Sequence, residues 1–202
     1  MEIILNLLIL FLGYLFGSFP SGYLAGKIAK GIDIRSLGSG STGATNVLRH
    51  IGKRAAITVF LLDVFKGVIS ILLAKYFLLN DSWQVAIGLS TLIGHIWPVW
   101  LNWRGGKAVA TGLGIFLGLS WQVGLATLGI FILMITLFRI VSLASVSAAL
   151  ALPLIMFISF KNSSISPPFL VISLLAMTLV IWRHRENIVR LIKGKEPKIG
   201  QP

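Results

Sequence analysis

Cysteine is absent from the 202-residue chain, and only six residues are acidic. The first absence excludes disulfides, thiolate nucleophiles and cysteine-held zinc. The second leaves a formal net charge of +12, whose distribution says more than its sum. Charge of either sign is scarce, at 12% of residues, against about a quarter in soluble domains. Hydrophobic residues make up 56% and mean hydropathy is +0.91. These proportions exclude a sizeable water-soluble domain and indicate an integral membrane protein. The first apolar run has no basic stretch before it and no small-residue cleavage site after it, so it reads as a retained span rather than a signal peptide.

The expected fold is all-α, one polytopic membrane domain over 1–202 with seven transmembrane helices. The spans fall at about 3–25, 55–79, 83–101, 107–119, 121–138, 142–160 and 165–183, from apolar runs near the roughly 20 residues a crossing needs. The run from Ala108 to Phe138 would be about 46 Å long as one straight helix, well beyond the bilayer core. It also has Lys107 at one end and Arg139 at the other, with Gly118, Ser120, Gln122 and Gly124 between. Two spans resolve this, the fourth of them short; a re-entrant hairpin is the competing reading. All Lys and Arg except Lys66, Lys75 and Lys161 cluster at 27–54, 104–107, 139 and 183–198. The positive-inside rule makes those clusters cytoplasmic, with the amino terminus outside and the carboxyl terminus in the cytoplasm. Topology thereby accounts for the basic charge, and nucleic-acid binding is not expected.

Against this apolar background three polar stretches stand out. Residues 38–49 read GSGSTGATNVLR. Glycine admits positive φ and close backbone approach, so N–H groups can converge on an anion. Hydroxyls of Ser39, Ser41, Thr42 and Thr45 add donors, and Arg49 supplies a planar cationic fork. A flexible interhelical loop is the plainer reading. The stretch lacks the G-x-x-x-x-G-K-[ST] pattern, so nucleotide hydrolysis is not indicated. Residues 94–112 read GHIWPVWLNWRGGKAVATG. Trp97, Trp100 and Trp103 fit the headgroup level, while Arg104-Gly105-Gly106-Lys107 at a helix start suits a phosphate. An ordinary cytoplasmic loop would not require the glycine pair. Residues 183–200 read RHRENIVRLIKGKEPKIG; a continuing helix would put His184 and Asn187 on one face. His184 is titratable, or simply a solvated histidine among cations. Glu186 is expected to pair with Arg183 or Arg190. Asp63 and Lys66, within a span, are expected to face the bundle interior and pair with each other. Transporters keep substrate sites near the midplane; these polar groups instead map to one membrane face, as an enzyme joining a polar and a lipid substrate requires.

In order and spacing the three stretches resemble the three motifs of the bacterial acyl-phosphate:glycerol-3-phosphate acyltransferase (PlsY) family. The family's G-S-G-N-x-G-A-T-N-x-x-R is matched by 38–49, with Ser41 where the family usually has Asn. Its G-H-x-x-P-V-x-x-x-[KR]-G-G-K-x-V-A-T is matched by 94–111 with one residue more between Val99 and Arg104, and its R-H-x-x-N-I-x-R-L-x-x-G-x-E by 183–196. GSFPSGYLAGK at 17–27 is also similar. The resemblance implies an inner-membrane enzyme with its active site facing the cytoplasm. It would move a fatty acyl group from acyl phosphate to the 1-hydroxyl of sn-glycerol 3-phosphate, giving lysophosphatidic acid and phosphate in phospholipid biosynthesis. An acyl phosphate is already an activated anhydride, so no cofactor or metal is expected. The implied catalytic residues are Ser39, Arg49, Lys107, His184 and Asn187. Those implied to hold substrate or phosphate are Gly38, Gly40, Ser41, Thr42, Gly43, Asn46, Arg104, Gly105, Gly106 and Ser145. The hydroxyl proton goes either to His184 or to the substrate's own phosphate. Membrane lipid and the soluble enzyme that makes acyl phosphate are further implied partners. No H-x-x-x-x-D pattern occurs: five residues after His50, His95 and His184 come Ala55, Trp100 and Val189. A small transporter of phosphate or a phosphorylated lipid precursor is the alternative from another class.

Overall fold

A computed structural model describes residues 2–162 and 165–200. The described residues are all helical or irregular, without strands. Two compact units divide the chain near Gly118.

The first unit begins with α1 (Glu2–Ser18) and α2 (Ser21–Lys30). The span expected over 3–25 is thus built from two helices that meet at Phe19-Pro20 and together, over Glu2–Lys30, form one apolar segment of 29 residues long enough to cross a membrane. Pro20 has no N–H to continue the ladder, and at the break the Phe19 carbonyl accepts from the Ser21 N–H at 3.0 Å and from Lys66 Nζ at 3.2 Å. Lys66 lies on α4 (Lys53–Tyr76), which follows the short α3 (Ala44–His50). As expected, Lys66 pairs with Asp63, at 2.9 Å and with both side chains buried. A Ser21 hydroxyl donates to the same carboxylate oxygen at 2.6 Å.

Next comes α5 (Asp81–Ile96), capped by the Asn80 side chain, which accepts from the Trp83 N–H at 3.1 Å. α1 packs on α5 through glycine. A Cβ on Gly17 would run into the Thr91 backbone, and one on Gly94 into the Tyr14 carbonyl. Such close backbone approach is what small residues give helix pairs in a bilayer, where packing replaces the hydrophobic drive. Gly67 of α4 and Gly114 of α6 (Val109–Leu119) make the same kind of crossing. α6 is 11 residues long, about half the length a bilayer core requires. It begins two residues later than the expected 107.

The second unit holds α7 (Trp121–Phe138), α8 (Val141–Lys161), α9 (Pro167–Arg183) and α10 (Arg185–Ile192), with α8 packed on both α7 and α9. Ser166 and Pro167 open α9, proline being suited to the first helical turn. Among the described residues, five helical segments are long and apolar enough to cross a membrane, or six if α9 and α10 count as one bent span. The expected helical continuation after Arg183 does not hold, because α10 leaves α9 at an angle of 63°. At the bend His184 is in neither helix, and Arg183 and Arg185 both stack on the Trp182 ring.

Candidate active site

The first glycine loop is shaped from within. Gly38 and Gly40 have φ of +56° and +64°, the left-handed region that glycine enters without strain. Asn46, buried at the base, directs its amide nitrogen to the carbonyls of Ile34 and Leu37, each at 3.0 Å, and of Ser41 at 2.9 Å. Its amide oxygen accepts from the Ser39 N–H at 3.3 Å. With both ends engaged, Asn46 clamps the loop rather than donating to an anion. Ser41 and Thr42 are buried as well, the Ser41 hydroxyl oxygen accepting from the Gly43 N–H at 3.3 Å. Ser39 and Gly40 remain at the exposed crest, and Arg49 is exposed on α3.

A strap ties this loop to the second. Asp33 accepts three hydrogen bonds from the Arg35 guanidinium, at 3.0, 3.2 and 2.7 Å, and one from its N–H. Arg35 also stacks on Tyr23 and donates to the Leu101 carbonyl at 2.7 Å. Its guanidinium holds the Asp33 carboxyl below the ordinary carboxylate value. Motif reading singled out neither residue, because the sequence does not show that Arg35 reaches Leu101.

In the second loop, Trp100 and Trp103 are exposed, as an interfacial belt requires. The Arg104-Gly105-Gly106-Lys107 stretch is not the first turn of a helix. The Gly105 N–H donates to the Ile96 carbonyl and the Gly106 N–H to the His95 carbonyl, both at 3.1 Å. Ala108 then takes φ of +61°, so α6 cannot start before Val109. The glycine N–H groups are therefore spent on the end of α5. What remains for an anion is half-buried Lys107 and the N–H groups of the first turn of α6, which have no intrahelical acceptors. Arg104 is exposed.

The second unit carries the third motif. His184 is buried, and its Nδ1 lies 2.8 Å from the Val180 carbonyl. A carbonyl only accepts, so Nδ1 carries a proton, and in the neutral form of the ring the lone pair sits on Nε2. The orienting group is thus a backbone carbonyl rather than a carboxylate. Glu186 lies 4.0 Å from Arg185, both side chains exposed, and its charge also acts on Arg183. The expected alternative pairing with Arg190 does not form, because Arg190 bonds Glu196 instead, at 2.7 Å. Glu196 is buried and also accepts from Asn187 at 2.6 Å and Ser142 at 2.8 Å. Burial pushes its carboxyl up, but these three donors outweigh burial and hold it below its ordinary value. The Ser145 hydroxyl donates to the Val141 carbonyl at 2.9 Å. Sequence reading assigned no role to Glu196 or Ser142. The available signal was the third motif itself, whose last position is Glu196.

Residues 7–194 match the family model described as glycerol-3-phosphate acyltransferase. A glycerol-3-phosphate acyltransferase of Prochlorococcus marinus (strain NATL2A) is 89% identical over 198 residues, covering 98% of this chain and 100% of the relative. One from Synechococcus sp. (strain CC9902) is 61% identical, covering 97% and 96%. Crystal structures of PlsY (YgiH), an integral membrane glycerol 3-phosphate acyltransferase, superpose with a TM-score of 0.87 at 37% identity. The glycerol 3-phosphate form covers 96% of each chain, and the lysophosphatidic acid form 96% of this chain and 95% of that one. On these matches the chain belongs to the glycerol-3-phosphate acyltransferase family.

Proposed function

We propose that this enzyme acylates the 1-hydroxyl of sn-glycerol 3-phosphate with a fatty acyl phosphate, releasing lysophosphatidic acid and inorganic phosphate. The acceptor oxygen attacks the acyl carbonyl carbon, the bond from that carbon to the phosphate oxygen breaks, and phosphate leaves. Because the donor is a mixed anhydride, the protein's task is to orient two repelling phosphates and stabilise the developing charge. The observation that carries this reading is the pair of loops in the first unit, each built around glycine and each presenting a cation, Arg49 or Lys107. Ser39, Gly38, Gly40, Gly43 and Arg49 are assigned to the acyl phosphate and its carbonyl. Ser41, Thr42 and Asn46 support that loop from inside. Lys107 and the start of α6 hold glycerol phosphate, with Gly105 and Gly106 setting the loop's path and Arg104 drawing in the anion. His184, Asn187 and Ser145 are assigned to the substrate head. The hydroxyl proton goes to His184 Nε2 or to the glycerol phosphate itself.

The chain works as one polytopic domain of the cytoplasmic membrane. Its seven segments include the short α6, with both loops and the carboxyl tail in the cytoplasm. A soluble enzyme making acyl phosphate supplies the donor. A transporter of phosphate or a phosphorylated lipid precursor is left without support by membership in an acyltransferase family. The deciding experiment follows phosphate release from palmitoyl phosphate by purified protein in detergent. Release that requires glycerol 3-phosphate, with an equal amount of lysophosphatidic acid, is expected. Release independent of glycerol 3-phosphate would sink the proposal.

A further inference from the structure

Three buried polar side chains of the first unit have no part in the chemistry above: Asp63, His95 and Thr111. They come from α4, α5 and α6 and form a connected set. His95 Nδ1 lies 3.0 Å from the Thr111 hydroxyl and 3.8 Å from an Asp63 carboxylate oxygen. That oxygen is fixed in turn by Lys66 at 2.9 Å and Ser21 at 2.6 Å. Buried polar groups in a membrane segment are costly, so a chain that keeps five of them together uses them for something.

The set ends beneath the second loop. The His95 carbonyl accepts from the Gly106 N–H at 3.1 Å. The imidazole occupies the space on the other side, such that a Cβ on Gly106 would run into Nε2. His95 thus holds Gly106 by its backbone and supports it with its ring, and the ring's rotation is set by Thr111 and Asp63 behind it. A ring turned from this position would press on the loop one residue before Lys107.

We infer that His95 is a positioning residue for the glycerol phosphate loop, locked by the Thr111 hydroxyl and the Asp63 carboxylate. The inference rests on the reading that Lys107 holds glycerol 3-phosphate. Thr111 is fully buried in the first turn of α6, and its valine isostere removes only the hydroxyl. Thr111→Val should raise KM for glycerol 3-phosphate about tenfold, the scale of one net hydrogen bond. KM for acyl phosphate and kcat should stay within about twofold of wild type. Thr111→Ser, which restores the hydroxyl, should restore KM. An unchanged KM for glycerol 3-phosphate in Thr111→Val, with Lys107→Ala raising it, overturns the positioning role and leaves the loop reading standing. An unchanged KM for glycerol 3-phosphate in Lys107→Ala overturns the loop reading, and this inference with it. Should Thr111→Val fail to accumulate in the membrane, His95→Asn decides. It keeps a polar group near the Nδ1 position and removes the ring atoms beneath Gly106. The same selective rise in KM is expected, and an unchanged KM overturns the inference.

Discussion

Single side chains in this protein divide into those that face a substrate and those that hold a loop in shape, and the second kind carries the larger structural penalty when lost. Asn46 holds three carbonyls and one N–H of the first loop. Asn46→Asp would turn an oxygen toward those carbonyls, leaving buried acceptors unsatisfied at about 1–3 kcal/mol. We expect kcat/KM to fall on the order of 10–100-fold, measured against a circular dichroism spectrum that still shows the helical fold; wild-type activity would contradict the clamp. Glu196 plays the same part in the second unit. Its folded-state pKa lies below the ordinary 4.5, so its stabilisation is present above that value and is lost as pH falls through the lower, folded one. Glu196→Gln should therefore lower the thermal midpoint at pH 7, and the gap to wild type should close in acid. A gap that stays constant down to pH 3 would refute the linkage. His184 poses the remaining question of proton transfer. With Nδ1 donating to Val180, Nε2 is the basic nitrogen, and a general base there is worth about 10²–10⁴-fold. If the substrate phosphate takes the proton instead, the pH–rate profile should keep its acidic limb in His184→Ala. We expect that limb to persist, because glycerol phosphate brings its own base to the hydroxyl; its disappearance in the mutant would make His184 the base.

Helices carry a different lesson, since their ends depart from the hydropathy pattern where a polar group has been given a partner. The helix over 121–138 was legible to the residue, and the helices expected at 142–160 and 165–183 to within two residues, because long uncharged runs leave few alternatives. The break at Pro20 was not legible, since hydropathy does not change there, and the bend at His184 was not, since a polar stretch after a span reads equally as a continued or a turned helix. Their physical causes are a missing N–H and a carbonyl claimed by Lys66 in one case. In the other, the chain turns by 63° and the third motif folds around Glu196. Helix contacts were equally hidden, because glycine composition does not say which glycine meets a backbone. Gly17 and Gly129 separate the two cases. A Cβ on Gly17 would strike the Thr91 backbone, whereas one on Gly129 would meet nothing within 4 Å. Gly17→Ala should cost about 1–3 kcal/mol by overpacking, lowering the thermal midpoint in detergent. Gly129→Ala should leave it unchanged or raise it, as helix propensity favours alanine by about 1 kcal/mol. Equal effects at both positions would mean that backbone approach does not hold α1 to α5.

Across the whole chain, charge is the feature that the sequence stated most plainly and the structure explained most locally. The three cations outside the four basic clusters each have a local contact: Lys66 with Asp63, Lys75 with the Gly118 carbonyl at 2.6 Å, and Lys161 over the Phe157 ring at 5.5 Å. The clusters themselves suggest a topology, and the motifs a pair of anion loops. The loops' internal clamps were not legible, because Ser142 and Glu196 lie 54 positions apart and Arg35 and Leu101 lie 66 apart. No local pattern connects such pairs. The topology remains the most consequential expectation, since it decides on which side of the membrane substrates must arrive. A chain without cysteine allows a clean test by single introduced thiols at exposed positions. Ser36→Cys lies just before the first glycine loop, Lys198→Cys in the tail, and Ser82→Cys at the start of α5. An impermeant maleimide applied to intact cells should label Ser82→Cys, and should reach Ser36→Cys and Lys198→Cys only after permeabilisation. The positive-inside rule requires this pattern, because Ser36 and Lys198 lie within basic clusters and Ser82 lies in the brief turn between two spans. Labelling of Ser36→Cys from outside would invert the chain and place both anion loops away from the cytoplasm, where a phosphorylated acceptor made inside the cell could not reach them.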